Sequence, residues 1–162
     1  MVLRLAHIRR ARRSSRRGTT VVETAFILPV FMFLVFALIE FGHAQMVTNV
    51  LNSAVRVAAR MGATEGTTTA NVTARVNQTM NSAIKAGATS VFVKDASAFD
   101  SANPPAATGA GIEDLPNLEV SAAEPRQMFV VRARVAYNDV ALVPMPFMNG
   151  VVLQAQSFMR HE

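Results

Sequence analysis

The chain has 162 residues, 51% of them hydrophobic and none of them cysteine. This is enough for one small domain, and that domain cannot be stapled by disulfides even in an oxidising compartment. The formal net charge of +5 is concentrated at one end: seven of the 16 basic residues fall within the first 17 positions, and the nine that remain face 11 acids, a net charge of −2. Composition therefore describes a basic leader joined to an anchored, mildly acidic domain, and argues against a soluble enzyme.

Residues 1–18 read as a basic cytoplasmic leader, holding Arg4, Arg9, Arg10, Arg12, Arg13, Arg16 and Arg17 and no acid. From Thr19 to Ile39 there is a single charge, Glu23. As a helix that run reaches about 31 Å, which matches a bilayer hydrocarbon core of about 30 Å. A transmembrane helix is expected over 19–41. Arginines flanking a span stay on the cytoplasmic side, which makes 42–162 an extracytoplasmic domain. A basic leader can also contact nucleic acid or anionic lipid, but directly before a span it reads as a topology signal. An acid at the centre of a span costs about 2.5–3.5 kcal/mol, so Glu23 requires either a partner or a depth near the headgroups to which it can snorkel. Pro29 frees the carbonyl of Ala25 and is expected to bend the helix there.

Beyond the span, Val47, Val50, Leu51, Ala54, Val55, Ala58 and Met61 recur at steps of three and four, with polar residues between them. The pattern is an amphipathic helix. No proline separates it from the span, so one helix is predicted from about Thr20 to Met61, ended by Gly62. Glu65-Gly66-Thr67-Thr68 forms a turn in which Thr67 or Thr68 caps a second helix. That helix runs to about Ala86, with Val72, Val76, Met80, Ala83 and Ile84 on one face and Gly87 as its stop. Ser90-Val91-Phe92-Val93 is a short strand, and residues 95–117 are a Ser/Ala/Pro/Gly-rich stretch read as a flexible loop. The clearest strand is 127–137. Phe129, Val131, Ala133, Val135 and Tyr137 form its apolar face, and Met128, Val130, Arg132, Arg134 and Ala136 a face expected to be solvated. A last strand is predicted over 151–159, with 118–120 as an additional candidate. The fold class is α+β: a long N-terminal helix, membrane-spanning in its first half, then a second helix and a small antiparallel sheet.

The inventory for catalysis is thin. His7 lies in the leader, His43 at the membrane boundary and His161 beside Glu162 in what reads as a solvated end, and none sits near an acid and a nucleophile at motif spacing. No metal-ligand cluster and no phosphate-binding glycine loop is evident, and Met80 reads as core filling. The expectation is no enzyme, no cofactor, no metal, no nucleic acid and no small-molecule substrate.

The junction Arg16-Arg17-Gly18-Thr19-Thr20-Val21-Val22-Glu23 resembles the processing site of type IV pilins and pseudopilins. Two further stretches, Val22-Glu23-Thr24-Ala25-Phe26-Ile27-Leu28-Pro29-Val30 and Ile39-Glu40-Phe41-Gly42-His43-Ala44, resemble the TadE-like branch of that family. Ala54-Val55-Arg56-Val57-Ala58-Ala59-Arg60-Met61-Gly62 fits the branch's Ala/Arg-rich stretch, while Thr24 departs from its usual aromatic or aliphatic residue. The resemblance implies a prepilin peptidase cut between Gly18 and Thr19. It also implies a role for Glu23 in subunit assembly, pairing with the new ammonium at Thr19 of a neighbour so that neither charge is buried alone. Implied partners are the peptidase, other pilin-like subunits, Tad assembly proteins and membrane lipid, at the bacterial cytoplasmic membrane. Two other readings stay open on the residues alone. One is an uncleaved single-pass protein with a small binding domain. The other is a secreted protein with an ordinary signal cut before Gln45, or a twin-arginine signal in the leader.

Overall fold

The computed structural model describes residues 17–84, 89–105, 107 and 109–162. The leader up to Arg16 lies outside the described residues, as do Ala86 and Gly87, the expected end of the second helix. In chain order the elements are α1 (Arg17–Gly62), α2 (Thr69–Ala83), β1 (Ser90–Asp95), α3 (Gly109–Glu113), β2 (Met128–Ala136), α4 (Tyr137–Val140) and β3 (Val152–Arg160), in an α+β layout. The chain forms two units, Met1–Phe36 and Ala37–Glu162.

In the first unit α1 exposes Val21, Val22, Phe26, Ile27, Leu28, Val30, Phe31, Phe33, Leu34 and Phe36. A helix apolar all round is unsuited to water and suited to lipid or to other apolar helices. By length and composition it can cross a membrane. The helix continues through Pro29 as one element.

The second unit is built on the remainder of α1. Val47, Leu51, Ala54, Val55, Ala58 and Ala59 are fully buried, while Val50 and Met61 are half-buried. All of these but Met61 pack with Val72, Val76 and Met80 of α2 against Phe129, Val131, Ala133 and Val135 of β2. Small residues on α1 let these layers approach closely. Gly62 makes this explicit: a Cβ there would lie 3.0 Å from Val72 Cγ2 and 3.3 Å from the Phe129 ring. α1 ends at Gly62 as expected, but without a left-handed backbone there; among the described glycines that conformation is found at Gly66 and Gly150. Thr68 is the cap of α2, accepting from Asn71 N at 3.2 Å. Glu119 adds a second one from a distant part of the chain, accepting from Thr69 N at 2.8 Å. That bond, above all, holds the Glu119 carboxyl below its ordinary value of 4.5.

The sheet is an antiparallel meander in the order β1-β2-β3, with Val93 opposite Val131 and Val131 opposite Ser157. The face of β2 that carries Met128, Val130, Arg132, Arg134 and Ala136, expected to be solvated, is covered at Val130 and Arg132, while the Arg134 side chain stays 42% exposed and Ala136 is exposed. Val130 packs with Ala96 and Ile112, and Phe99, Leu115, Met128 and Phe158 gather round them. Phe99 meets Phe158 edge-to-face at 5.1 Å between ring centres. The cover comes from 95–117, the expected loop, which contains a 3₁₀ turn, Ser97–Asp100, and the helical turn α3.

Residues 118–120 do not add a strand. Asp95 N donates to Pro116 O at 2.9 Å and Leu118 N to Val93 O at 3.2 Å, giving one bridge between Lys94 and Asn117. The chain then turns into a 3₁₀ helix, Val120–Ala122. This crossing occupies the outer edge of β1 at its Val93–Asp95 end, whereas β3 pairs only with β2 among the described residues. The C-terminal residues are not a solvated end either. His161 is buried, Arg126 N donates to His161 O, His161 N donates to Gln127 O, and Glu162 N donates to Ala63 O at 2.9 Å.

Candidate functional site

The four residues singled out from the sequence all lie on α1. Gly18 and Thr19 are in its first turn, where backbone N–H groups lack intrahelical acceptors. Glu23 follows Thr19 by four positions, which places the two on one side of the helix, a turn apart. Glu23 is exposed, and its side chain makes no hydrogen bond or ion pair with any described residue. Thr24, the departure from the family pattern, donates its hydroxyl to Thr20 O at 2.8 Å. It therefore carries no unsatisfied donor into an apolar medium. Pro29 lies farther along the same exposed apolar run.

A second arrangement, at the start of the larger unit, was not singled out from the sequence. Glu40 is 1% exposed. Its two oxygens accept from Leu142 N at 3.3 Å and Val143 N at 2.9 Å. One turn on, His43 Nε2 lies 2.9 Å from Val140 O. Since a carbonyl only accepts, that nitrogen carries the proton. The spacing of three residues puts both side chains on one face of α1, so together they hold the backbone of 140–143. The strand predicted to run through Tyr137 stops at Ala136 because Tyr137 opens α4 and turns inward. Its hydroxyl is 3.5 Å from Val143 O. Burial, and then the Glu40 carboxylate beside it, push the Tyr137 phenol above its ordinary value of 10.0. A buried carboxylate costs several kcal/mol unless hydrogen bonds satisfy it, and here two amides do so. The available signal was an acid at the end of an apolar run with a histidine three positions later.

A third cluster joins the sheet to α3. Arg132 is 3% exposed, and its guanidinium donates to Glu113 Oε1 at 3.1 Å, to Gln156 Oε1 at 2.9 Å and to Gln154 Oε1. Arg134 donates to the other Glu113 oxygen at 2.8 Å and lies 5.0 Å from the centre of the Phe92 ring. Both arginines are thus committed inside the domain. Gly109 is packed against Arg132, and a Cβ there would collide with the guanidinium. Among the described residues, no group of three or more His, Cys, Asp or Glu side chains is arranged to hold a metal ion.

Neither the curated proteins nor the solved structures contain a match to the chain. A protein-family model does match, over the residues just described. From Gly18 through Glu23, Pro29, Glu40 and His43 to Arg60 in the core-packing part of α1, residues 18–60 of this chain match the TadE family, described as TadE-like protein.

Proposed function

We propose that this chain is a TadE-like pseudopilin, a minor structural or assembly component of a Tad-type pilus or secretion apparatus. It is made as a precursor in the bacterial cytoplasmic membrane and cut between Gly18 and Thr19 by a prepilin peptidase. It then associates with other pilin-like subunits and Tad assembly proteins. The family match supports a Tad pilus-related protein in general terms. The observation that carries the finer reading is the exposed apolar run of α1 with Glu23 near its start. In this reading Glu23 pairs with the ammonium that a cut at Gly18 would create on a neighbouring copy. Two charges that meet in an apolar assembly cost far less than either alone. The mechanism is assembly, in which the apolar run packs with lipid and with like helices while the outer domain selects the partner.

The ordinary secretory reading has an observation against it. A cut before Gln45 would remove Glu40 and His43, and with them the bonds that hold 140–143. The test is the N-terminal residue and intact mass of the protein recovered from its host's membranes. A start at Thr19 supports prepilin-type processing, a start at Gln45 makes it a secreted protein, and an intact leader makes it an uncleaved single-pass protein.

A further inference from the structure

The connection between α4 and β3 differs in chemistry from every other connection in the larger unit. From Val140 to Met159 there are 20 residues without an acid or a base. The α1–α2 connection carries Glu65, the α2–β1 connection Lys85, the β1–α3 connection Asp100, and the α3–β2 connection Asp114, Glu119, Glu124 and Arg126. The charge-free connection is also where the apolar surface is. Among the described residues after Phe41, the exposed large apolar side chains are Met46, Val57, Leu142 at 62%, Phe147 at 60%, Val151 at 36% and Val152 at 47%. Four of these six lie between α4 and the start of β3.

The segment is also held in a defined shape. Met145 is buried, a 3₁₀ turn Pro146–Met148 follows, Tyr137 N donates to Val151 O, and Asn138 Nδ2 donates to Asn149 Oδ1 at 2.7 Å. Glu40 and His43 fix its height along α1. Glu40 is the first residue after Ile39, the end of the run in which Glu23 is the single charge, so Leu142 and Val143 are bonded to α1 within about one turn, roughly 6 Å, of that end. The polar layer on each side of a bilayer is itself about 5–7 Å deep.

We propose that residues 141–152 form a second membrane contact, an apolar loop that rests in the headgroup layer on the extracytoplasmic side, with Leu142, Phe147, Val151 and Val152 turned to lipid. The proposal rests on the reading of 19–41 as a membrane span. Lipid is the occupant the features favour, because the loop is bonded to Glu40, the residue that follows the apolar run, and carries no charge to be desolvated. Apolar surface at this depth is buried by roughly 5–10 Å of the headgroup and acyl boundary. The loop would fix the outer domain against the bilayer and so set the orientation it presents to partners.

The absence of cysteine makes the test direct. The full chain is reconstituted in nanodiscs of phosphatidylethanolamine and phosphatidylglycerol as single-cysteine variants carrying an environment-sensitive fluorophore. The positions are Leu142→Cys, Phe147→Cys, Val30→Cys in the apolar run and Ala70→Cys on the exposed start of α2. The expected result is that labels at 142 and 147 are quenched by lipids brominated near the top of the acyl chain and are protected from iodide, with blue-shifted emission. The label at 70 should show the reverse. Iodide quenching at 142 and 147 with lipid quenching retained at 30 overturns the loop contact and leaves the span intact. Iodide quenching at 30 as well overturns the span and the contact together. Protection of 142 and 147 from both quenchers means that protein covers the loop, which also overturns the proposal.

Discussion

The Val143 amide donates to the Glu40 carboxylate at 2.9 Å across 103 positions of chain. With the Leu142 amide on the other oxygen, this one side chain satisfies two backbone donors that the segment cannot satisfy locally. Glu40→Ala is expected to lower the stability of the outer domain by about 2–3 kcal/mol, since hydrogen bonds to a charged group are lost and buried amides are left unpaired. Glu40→Gln, which keeps an acceptor, should lose less. Urea unfolding of the full chain in detergent, followed by far-ultraviolet circular dichroism, measures both; an unchanged midpoint for the alanine variant would rule out the clamp.

Glu23 is expected to behave in the opposite way. It is exposed and pairs with no described residue of its own chain, so Glu23→Ala should leave membrane insertion and domain stability unchanged while reducing incorporation into the assembly. Pull-down with pilin-like partners from the host membrane reads this out. Co-purification at the wild-type level would remove the pairing role.

The Arg132 cluster offers a graded series. Breaking a buried ion pair from one side costs about 3–5 kcal/mol, and Glu113, whose side chain keeps 24% exposure, should fall below that range at about 2–3 kcal/mol for Glu113→Ala. Arg134, 42% exposed, should cost no more than about 1–2 kcal/mol when changed to Ala, from a screened ion pair and a contact with Phe92. Chemical denaturation of the two variants side by side gives the order. Equal losses would contradict the burial argument.

Asp95 links stability to acid. Burial pushes its carboxyl up, but the Ser97 hydroxyl, the Ser97 amide and the Gln127 side chain together outweigh this and hold it below its ordinary value of 3.8. A depressed folded-state value means that the stabilisation is fully present above the ordinary value and is lost as pH falls through the lower one. Unfolding midpoints measured from pH 5 downward should therefore decline less steeply in Asp95→Asn than in the wild type. Parallel curves would show that Asp95 does not contribute.

Two glycines of α1 should respond with opposite sign. Gly42 has nothing within 4 Å of an added Cβ, so Gly42→Ala should stabilise the helix by about 0.5–1 kcal/mol. Gly62→Val forces Val72 and Phe129 apart and should destabilise by about 1–3 kcal/mol. Thermal melts of the pair check both signs at once.

The parts of the fold legible in the sequence are those written in local period. Val47, Leu51, Ala54, Val55 and Ala58 mark α1 by their spacing, and Phe129, Val131, Ala133 and Val135 mark β2 by alternation. Gly18, Thr19, Glu23 and Pro29 are legible as positions because they interrupt or border an apolar run. What is not legible depends on contacts between distant segments. Val130 and Arg132 sit on the face that alternation assigns to solvent: Val130 is covered by Ile112, Leu115 and Phe99, apolar residues thinly spread through a stretch of loop-like composition, and Arg132 by Glu113 and Gly109 of the same stretch. Glu40 reads as one letter of a motif, and its role appears only when Leu142 and Val143 are brought to it. His161 looks like a tail until its backbone is seen paired with Arg126 and Gln127.

The two edges of the sheet are unequal. The outer side of β1 is occupied by the backbone of Pro116 and Leu118, and the outer side of β3 is not paired by any described strand. An edge strand is a template for another, so association through backbone hydrogen bonds is available on one side only. Two copies meeting there would join β3 to β3 about a twofold axis, and each would then present its β1 edge. Extending the sheet past such a pair would have to displace the Pro116–Leu118 backbone from Val93 and Asp95.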